Sequence, residues 1–254
     1  MENKTLRWAG RNSSKDQLRA TIWTALQVSG AGTGKLFDSI PNFVGAEAAA
    51  ETLSQQPVWK EAKVVKSNPD SPQMPVRYRA LRDGKLLYMP VPELAKEFPF
   101  VLLDPAKLAE KEIPFADAAR LDGALKYGQR VEFSEMLPMD LLVVGCVAVG
   151  RDGGRTGKGG GFADLELGIF REVGIIPPHA KLVTTVHELQ VVDNELLTLQ
   201  AHDSPLDWIV TPNEVIETGT SYPQPKGVYW NNVLPEQFEA IPFLRTLREQ
   251  LEAK

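Results

Sequence analysis

The run MDLLVVGCVAVGRDGGRTGKGGGFADL, Met139 to Leu165, decides how the chain is read. Its first part, Met139–Val149, is apolar without polar alternation, the signature of a strand covered on both faces. The next stretch, Gly150 to Leu165, holds seven of the chain's 20 glycines together with Arg151, Arg155 and Lys158. Phe162, Leu165, Ile169, Phe170 and Val173 then recur at helical spacing, and Gly174 ends the helix they predict. In a parallel α/β sheet, a glycine loop between a strand's carboxyl end and a helix is the usual place for phosphate. Glycine allows positive φ and close backbone approach, while the helix N-terminus supplies unpaired N–H groups and a favourable dipole. The three basic residues would offset phosphate charge. Asp164 would oppose an anion unless a divalent cation lay between them, as Mg²⁺ does when it takes carboxylates together with phosphate oxygens.

The residues alone leave a second reading open, a surface loop with glycines at turn positions and solvated charges. Known nucleotide motifs do not choose between the two. Gly157-Lys158 is followed by glycine where a P-loop needs Ser or Thr, and Asp152 stands where that motif has its first glycine. The other Gly-Lys pair, Gly34-Lys35, has Ser29 at that position and is followed by Leu36.

Outward from this unit, helices and strands alternate. Ser13 and Ser14 are candidate caps for a helix carrying Leu18, Ile22, Ala25 and Leu26, and Ser14 with Gln17 has capping-box spacing. A second helical pattern runs near Val44 to Leu53 and stops before Pro57. AKVVKS reads as a strand followed by the proline-broken loop NPDSPQMP, and RALRDGKLLYMPVP and FPFVLLDP read as strands stopped by proline. Ala109 to Ser134 is mixed. Strands are expected around Leu182 to Val186 and in DWIVT, and a last helix in PFLRTLREQLEA. The expected fold is α/β: one domain over residues 1–254, a mostly parallel, Rossmann-like sheet with helices on both faces.

Composition narrows the function. With 254 residues and 43% hydrophobic content the chain can bury a core. A formal net charge of −5, and no basic stripe with interleaved aromatics, speak against nucleic acid as a partner. The single cysteine, Cys146, favours a reducing compartment. No run approaches the ~20 apolar residues of a membrane span, and MENKTLRWAGRNSSKDQ has no signal-peptide core. The expectation is a soluble cytoplasmic protein, monomeric or weakly dimeric, with no membrane partner. His179, His187 and His202 match no metal spacing and are assigned structural or surface roles. Trp8, Trp23, Trp59, Trp208 and Trp230 are expected to pack in or near the core, with Trp59 the candidate to face a flat heterocycle.

RTGKGGGFAD also resembles the loop of the 5-formyltetrahydrofolate cyclo-ligase family, and further pieces follow in the family's order: KDQLR, Gly84-Lys85 with MPVP, Gln190 and HDSPLDWIVTP. The resemblance implies a Rossmann-like domain that binds ATP, Mg²⁺ and a folate, phosphorylating the formyl oxygen so that N10 can close the ring. By position it implies ATP contacts for Lys15 and Arg19, which share a helix face. It implies a phosphate cradle at Gly157, Gly159, Gly160, Gly161 and Phe162, catalytic cations in Arg155 and Lys158, and Mg²⁺ at Asp164 and Asp203. Two departures stand out. The family's tyrosine pair is Phe162-Ala163 here, and its glutamate-hydrophobic-x-threonine folate segment is NPDSPQMP, with Asp70 nearest the glutamate. These departures suggest altered folate chemistry, or a non-catalytic, regulatory paralogue that keeps the nucleotide pocket.

Overall fold

The computed structural model describes residues 10–94, 99–241 and 243–252. Its centre is an eight-stranded sheet: β1 Val64–Ser67, β2 Leu86–Pro90, β3 Phe100–Leu103, β4 Gln129–Val131, β5 Leu141–Val143, β6 Lys181–Thr185, β7 Trp208–Val210 and β8 Val215–Glu217. The spatial order is β8-β7-β6-β5-β1-β2-β3-β4. The five strands from β7 to β2 run parallel, and β8, β3 and β4 add antiparallel edges. Successive side chains point to opposite faces: Val64 and Leu142 join the core layer that holds Phe170, Val65 and Leu141 the layer that holds Leu53 and Ala80. Helices α1 Ser13–Val28, α2 Ala46–Ser54, α3 Met74–Arg82 and α4 Phe162–Glu172 pack around this sheet, α2 and α3 on one face and α4 on the other.

Several local expectations change. The cap of α1 is Asn12, whose side chain accepts from the Lys15 N–H at 3.0 Å, so neither serine caps it. Met139–Val149 is not one strand. Only Leu141–Val143 lies in the central sheet, and the chain re-forms as Ala148–Gly150 in a small sheet with Arg155–Thr156 and Val191–Val192. Every residue from Leu141 to Gly150 is buried, so hydropathy carried no mark of the break. The proline-broken segment is also more ordered than expected. Ser71–Gln73 forms a 3₁₀ turn that runs into α3, with proline in the first helical turn, where its missing N–H costs no hydrogen bond. RALR therefore ends a helix, and the strand begins only at Leu86.

The stretch read as mixed begins at the end of a short helix, Pro105–Glu110, and contains two more, Phe115–Ala118 and Leu121–Tyr127, before β4. The last helix spans Leu244–Glu252 and buries Leu244 and Leu247. Trp8 lies outside the described residues. Among them, no helix is long and apolar enough to cross a membrane.

Candidate active site

The glycine stretch divides in two. Gly150 to Gly154 is the turn of a hairpin, closed by the Gly150 N–H on the Gly154 carbonyl at 2.8 Å and turned at Gly153, whose φ is 93°. Arg151 points away from the second half of the stretch. Its guanidinium forks onto Glu214 with two 2.7 Å bonds and lines no part of the large cavity, so it is not the phosphate cation the sequence suggested.

The second half, Thr156 to Gly161, lines a cavity of about 1040 Å³, at the upper end of the range for small-molecule sites. Gly161 precedes α4 in the left-handed region at φ 72° and caps it without a side chain. The loop's carbonyls are tied back. Arg19 Nε donates to Gly157 O at 2.6 Å, Arg11 Nη1 to Gly159 O and Gly160 O at 3.3 and 3.2 Å, and Gln237 Nε2 to Gly160 O at 3.1 Å. Among the described residues, no backbone N–H from Lys158 to Gly161 donates to a protein acceptor. A run of unbonded N–H groups leading into a helix N-terminus is an anion-binding arrangement.

Around this loop the cations are already matched with carboxylates. Lys15 Nζ donates to Asp203 Oδ2 at 2.5 Å, which also accepts from the Gln200 N–H at 2.8 Å. Arg19 pairs with Asp16 at 2.7 Å. Burial lowers its pKa, and Asp16 opposes that shift only in part. Arg155, fully enclosed, donates from Nε to the Ser204 carbonyl at 2.8 Å and from Nη2 to Asp164. Burial alone would weaken its charge, but Asp164, Cys146 and Asp203 together hold its pKa above the ordinary arginine value. The Ser204 N–H donates to Asp164 Oδ1 at 2.9 Å, which ties the segment carrying Asp203 to the start of α4. Asp164 and Asp203 both line the cavity. Lys158, a third exposed, stands 3.8 Å from Asp70 across the cavity.

Asp70 belongs to the opposite wall, where the sequence left most unread. Beneath it Lys66, in β1, is completely buried, donates to Asn68 Oδ1 at 2.5 Å and pairs with Glu166 of α4. Burial pushes the Glu166 carboxyl up despite Lys66. Arg77, 1% exposed, donates to the backbone carbonyls of Asn68 (2.5 Å), Asp70 (3.1 Å) and Ala119 (2.8 Å). Burial lowers its pKa to about 10, with Asp70 opposing. Gln73 is fully buried, and neither of its amide atoms has a partner among the described residues.

Two of these groups had a sequence signal. Lys66 interrupts a covered strand, and Glu166 falls four residues after Phe162 on the apolar side of its helix, so each needed a buried partner. Trp59 is a correction. It is 1% exposed within the α2/α3 core, donates from Nε1 to Asp83 at 2.9 Å, carries Lys85 Nζ 5.3 Å from its ring centre, and does not line the cavity. His187 caps a 3₁₀ turn, whereas His202 lines the cavity.

A model of the 5-formyltetrahydrofolate cyclo-ligase family matches residues 11–212. The chain is 36% identical over 241 residues to a methenyltetrahydrofolate synthase domain-containing protein of Bos taurus, covering 94% of this chain and 63% of the relative. It is 35% identical over 237 residues to the Homo sapiens protein of the same name, covering 92% and 61%. The chain thus spans about three fifths of the length of these curated relatives. Its fold is shared with a solved 5,10-methenyltetrahydrofolate synthetase of Aquifex aeolicus, with a TM-score of 0.52 at 19% identity over 82% of this chain and 95% of that one.

Proposed function

Because the chain belongs to the 5-formyltetrahydrofolate cyclo-ligase family, we propose that its cavity binds Mg-ATP over the glycine loop and uses it to activate a formyl-folate or related heterocycle for ring closure. The observation that carries this reading is the run of unbonded N–H groups from Lys158 to Gly161, which faces a cavity also lined by Lys15, Arg19, Arg155, Asp164 and Asp203. Those N–H groups would hold the polyphosphate. Lys158, the least buried of the cations, would neutralise charge developing on the transferred phosphoryl. Arg155 acts on Asp164: its two bonds fix that carboxylate against the Ser204 segment, a positioning role.

The donor set fits a magnesium ion held mainly by phosphate and water. Asp164 spends Oδ1, and Asp203 spends Oδ2, on protein donors, leaving one oxygen of each with no partner among the described residues nearer than His202, 3.7 Å from Asp203 Oδ1. Among the described residues no three His, Cys, Asp or Glu side chains gather as a self-sufficient metal site, consistent with the one or two carboxylates Mg²⁺ takes beside a nucleotide. When bound, Mg²⁺ would draw charge from the phosphates. The chain's own residues then orient the acceptor oxygen in line with the γ-phosphate.

A second reading, a nucleotide-binding paralogue without turnover, is favoured by one feature: the cations and carboxylates of the site already neutralise each other, Lys15 with Asp203 and Arg155 with Asp164. Substrate-dependent ATP turnover separates the two. Calorimetric titration of Mg-ATP tests both, since saturable binding is expected under either, and its absence at millimolar ATP overturns the placement.

A further inference from the structure

The family match ends at residue 212, yet the cavity does not. The segment Gly227 to Gln237 crosses its edge, and Val228, Tyr229, Asn232 and Leu234 line it. This segment is built in. Gln237, 5% exposed, donates to Gly160 O at 3.1 Å, and Glu236 receives Arg11, whose Nη1 also reaches the Gly159 and Gly160 carbonyls. Asn232 Nδ2 lies 2.8 Å from His202 Nδ1, next to the Lys15–Asp203 pair. Behind the segment Ile241, Leu244 and Leu247 are buried in the main core, and at its start the Val228 N–H donates to Glu172 Oε1 at 3.1 Å, so both ends are held.

Among the described lining residues, three carry aromatic rings: Phe162, His202 and Tyr229. Phe162 packs against the core. His202 and Tyr229 stand with ring centres 6.4 Å apart, and Tyr229 is 41% exposed although it lines a cavity. Large exposed rings beside phosphate-binding backbone are suited to a flat heterocycle, because each base presents a π-face that stacks on an aromatic side chain. We propose that the segment Gly227–Gln237 is the base-recognising wall of the nucleotide site, with Tyr229 as the ring on which a purine lies. This rests on the glycine-loop reading above and goes beyond it by naming which part of the chain contacts the base.

The test compares Mg-ATP with magnesium tripolyphosphate, which has the phosphates but no base, by calorimetry on the 254-residue chain and on Tyr229→Ala and Tyr229→Phe. Tyr229→Ala should weaken ATP about tenfold while leaving tripolyphosphate unchanged, and Tyr229→Phe should stay within about twofold of the parent for both, since stacking needs the ring and not the hydroxyl. Equal ATP affinity in Tyr229→Ala and the parent overturns the proposal. So does a parallel loss of both ligands in Tyr229→Ala, which would mark a structural role, or a parent that binds ATP no more tightly than tripolyphosphate. These outcomes leave the glycine-loop reading standing. A parent that binds neither ligand overturns that reading as well, so the two failures are told apart.

Discussion

The two long walls of the cavity are built in opposite ways. The glycine loop offers backbone: its carbonyls are held by Arg11, Arg19 and Gln237, which come from the two ends of the described chain, and its N–H groups from Lys158 to Gly161 donate to no described residue. The Asn68–Ser71 wall offers side chains. Arg77, from the following helix α3, holds the carbonyls of Asn68 and Asp70 from beneath, Asp70 and Glu166 line the cavity, and Lys66 is buried behind them. A backbone cradle takes any phosphate and asks little of its residues beyond smallness and positive φ. A wall of buried charged side chains suits only a ligand that matches it, because an unmatched buried charge is costly. The first wall can therefore stay constant while the second changes substrate.

The strongest way to break this contrast is Lys66→Ala. It leaves Glu166 buried without a cation and should cost about 3–5 kcal/mol in denaturant unfolding, whereas the double change Lys66→Met with Glu166→Leu should recover most of that loss. A single-mutant cost below about 1 kcal/mol would show that water reaches the pair. Next in size is the substrate. With Phe162-Ala163 in the loop and Asp70 in place of the family's glutamate, turnover of 5-formyltetrahydrofolate should fall at least about a hundredfold below the usual enzyme range of roughly 1 to 10³ per second. The readout is methenyltetrahydrofolate absorbance with Mg-ATP, and ordinary turnover would mean that the altered wall still accepts the folate.

Smaller effects sharpen the nucleotide wall. Lys158→Ala should weaken Mg-ATP about tenfold by calorimetry, as loss of one charge-assisted contact does. It should leave the melting temperature nearly unchanged, because its carboxylate contact is 3.8 Å long. Arg151→Ala should do least: ATP affinity unchanged, and stability within about 0.5 kcal/mol, since an exposed ion pair on the hairpin turn contributes little. A loss of ATP affinity in Arg151→Ala would show that the glycine stretch acts as one unit after all.

The difference between the walls also explains what the sequence made legible. Glycine loop and helix announced themselves because each depends on a local pattern, a cluster of glycines and a 3.6-residue period, whereas the unbroken apolar run marked burial and hid the break between Val143 and Ala148. The mostly parallel sheet followed from the alternation of helices and strands. The far wall depends on pairings between distant residues, Lys66 with Glu166 and Arg77 with Ala119, and no local period encodes them. NPDSPQMP read as a broken loop because its prolines suggest interruption, whereas here proline lies in the first turn of α3. Trp59, expected in or near the core with a face free for a flat heterocycle, is enclosed instead, and its surroundings include Asp83 and Lys85, more than twenty residues on. Gln237 and Arg11 carry no motif at all. Only folding brings both ends of the described chain onto Gly160.

The mutual neutralisation of Lys15 by Asp203, Arg19 by Asp16 and Arg155 by Asp164 bears on how fast a ligand arrives. A cleft of unmatched cations would focus the field and draw polyphosphate in from afar, at rates that collapse as ionic strength rises. Here three cations of the site are paired with carboxylates and the net charge of the whole chain is negative, so little long-range attraction for a polyphosphate is expected. On the proposed reading, capture would fall to collision followed by local exchange, in which phosphate oxygens take the place of the carboxylates on Lys15 and Arg19 while the Arg155–Asp164 pair stays in place. Association should be slow for a charged ligand and nearly indifferent to added salt, and discrimination should be exercised during the exchange, after encounter.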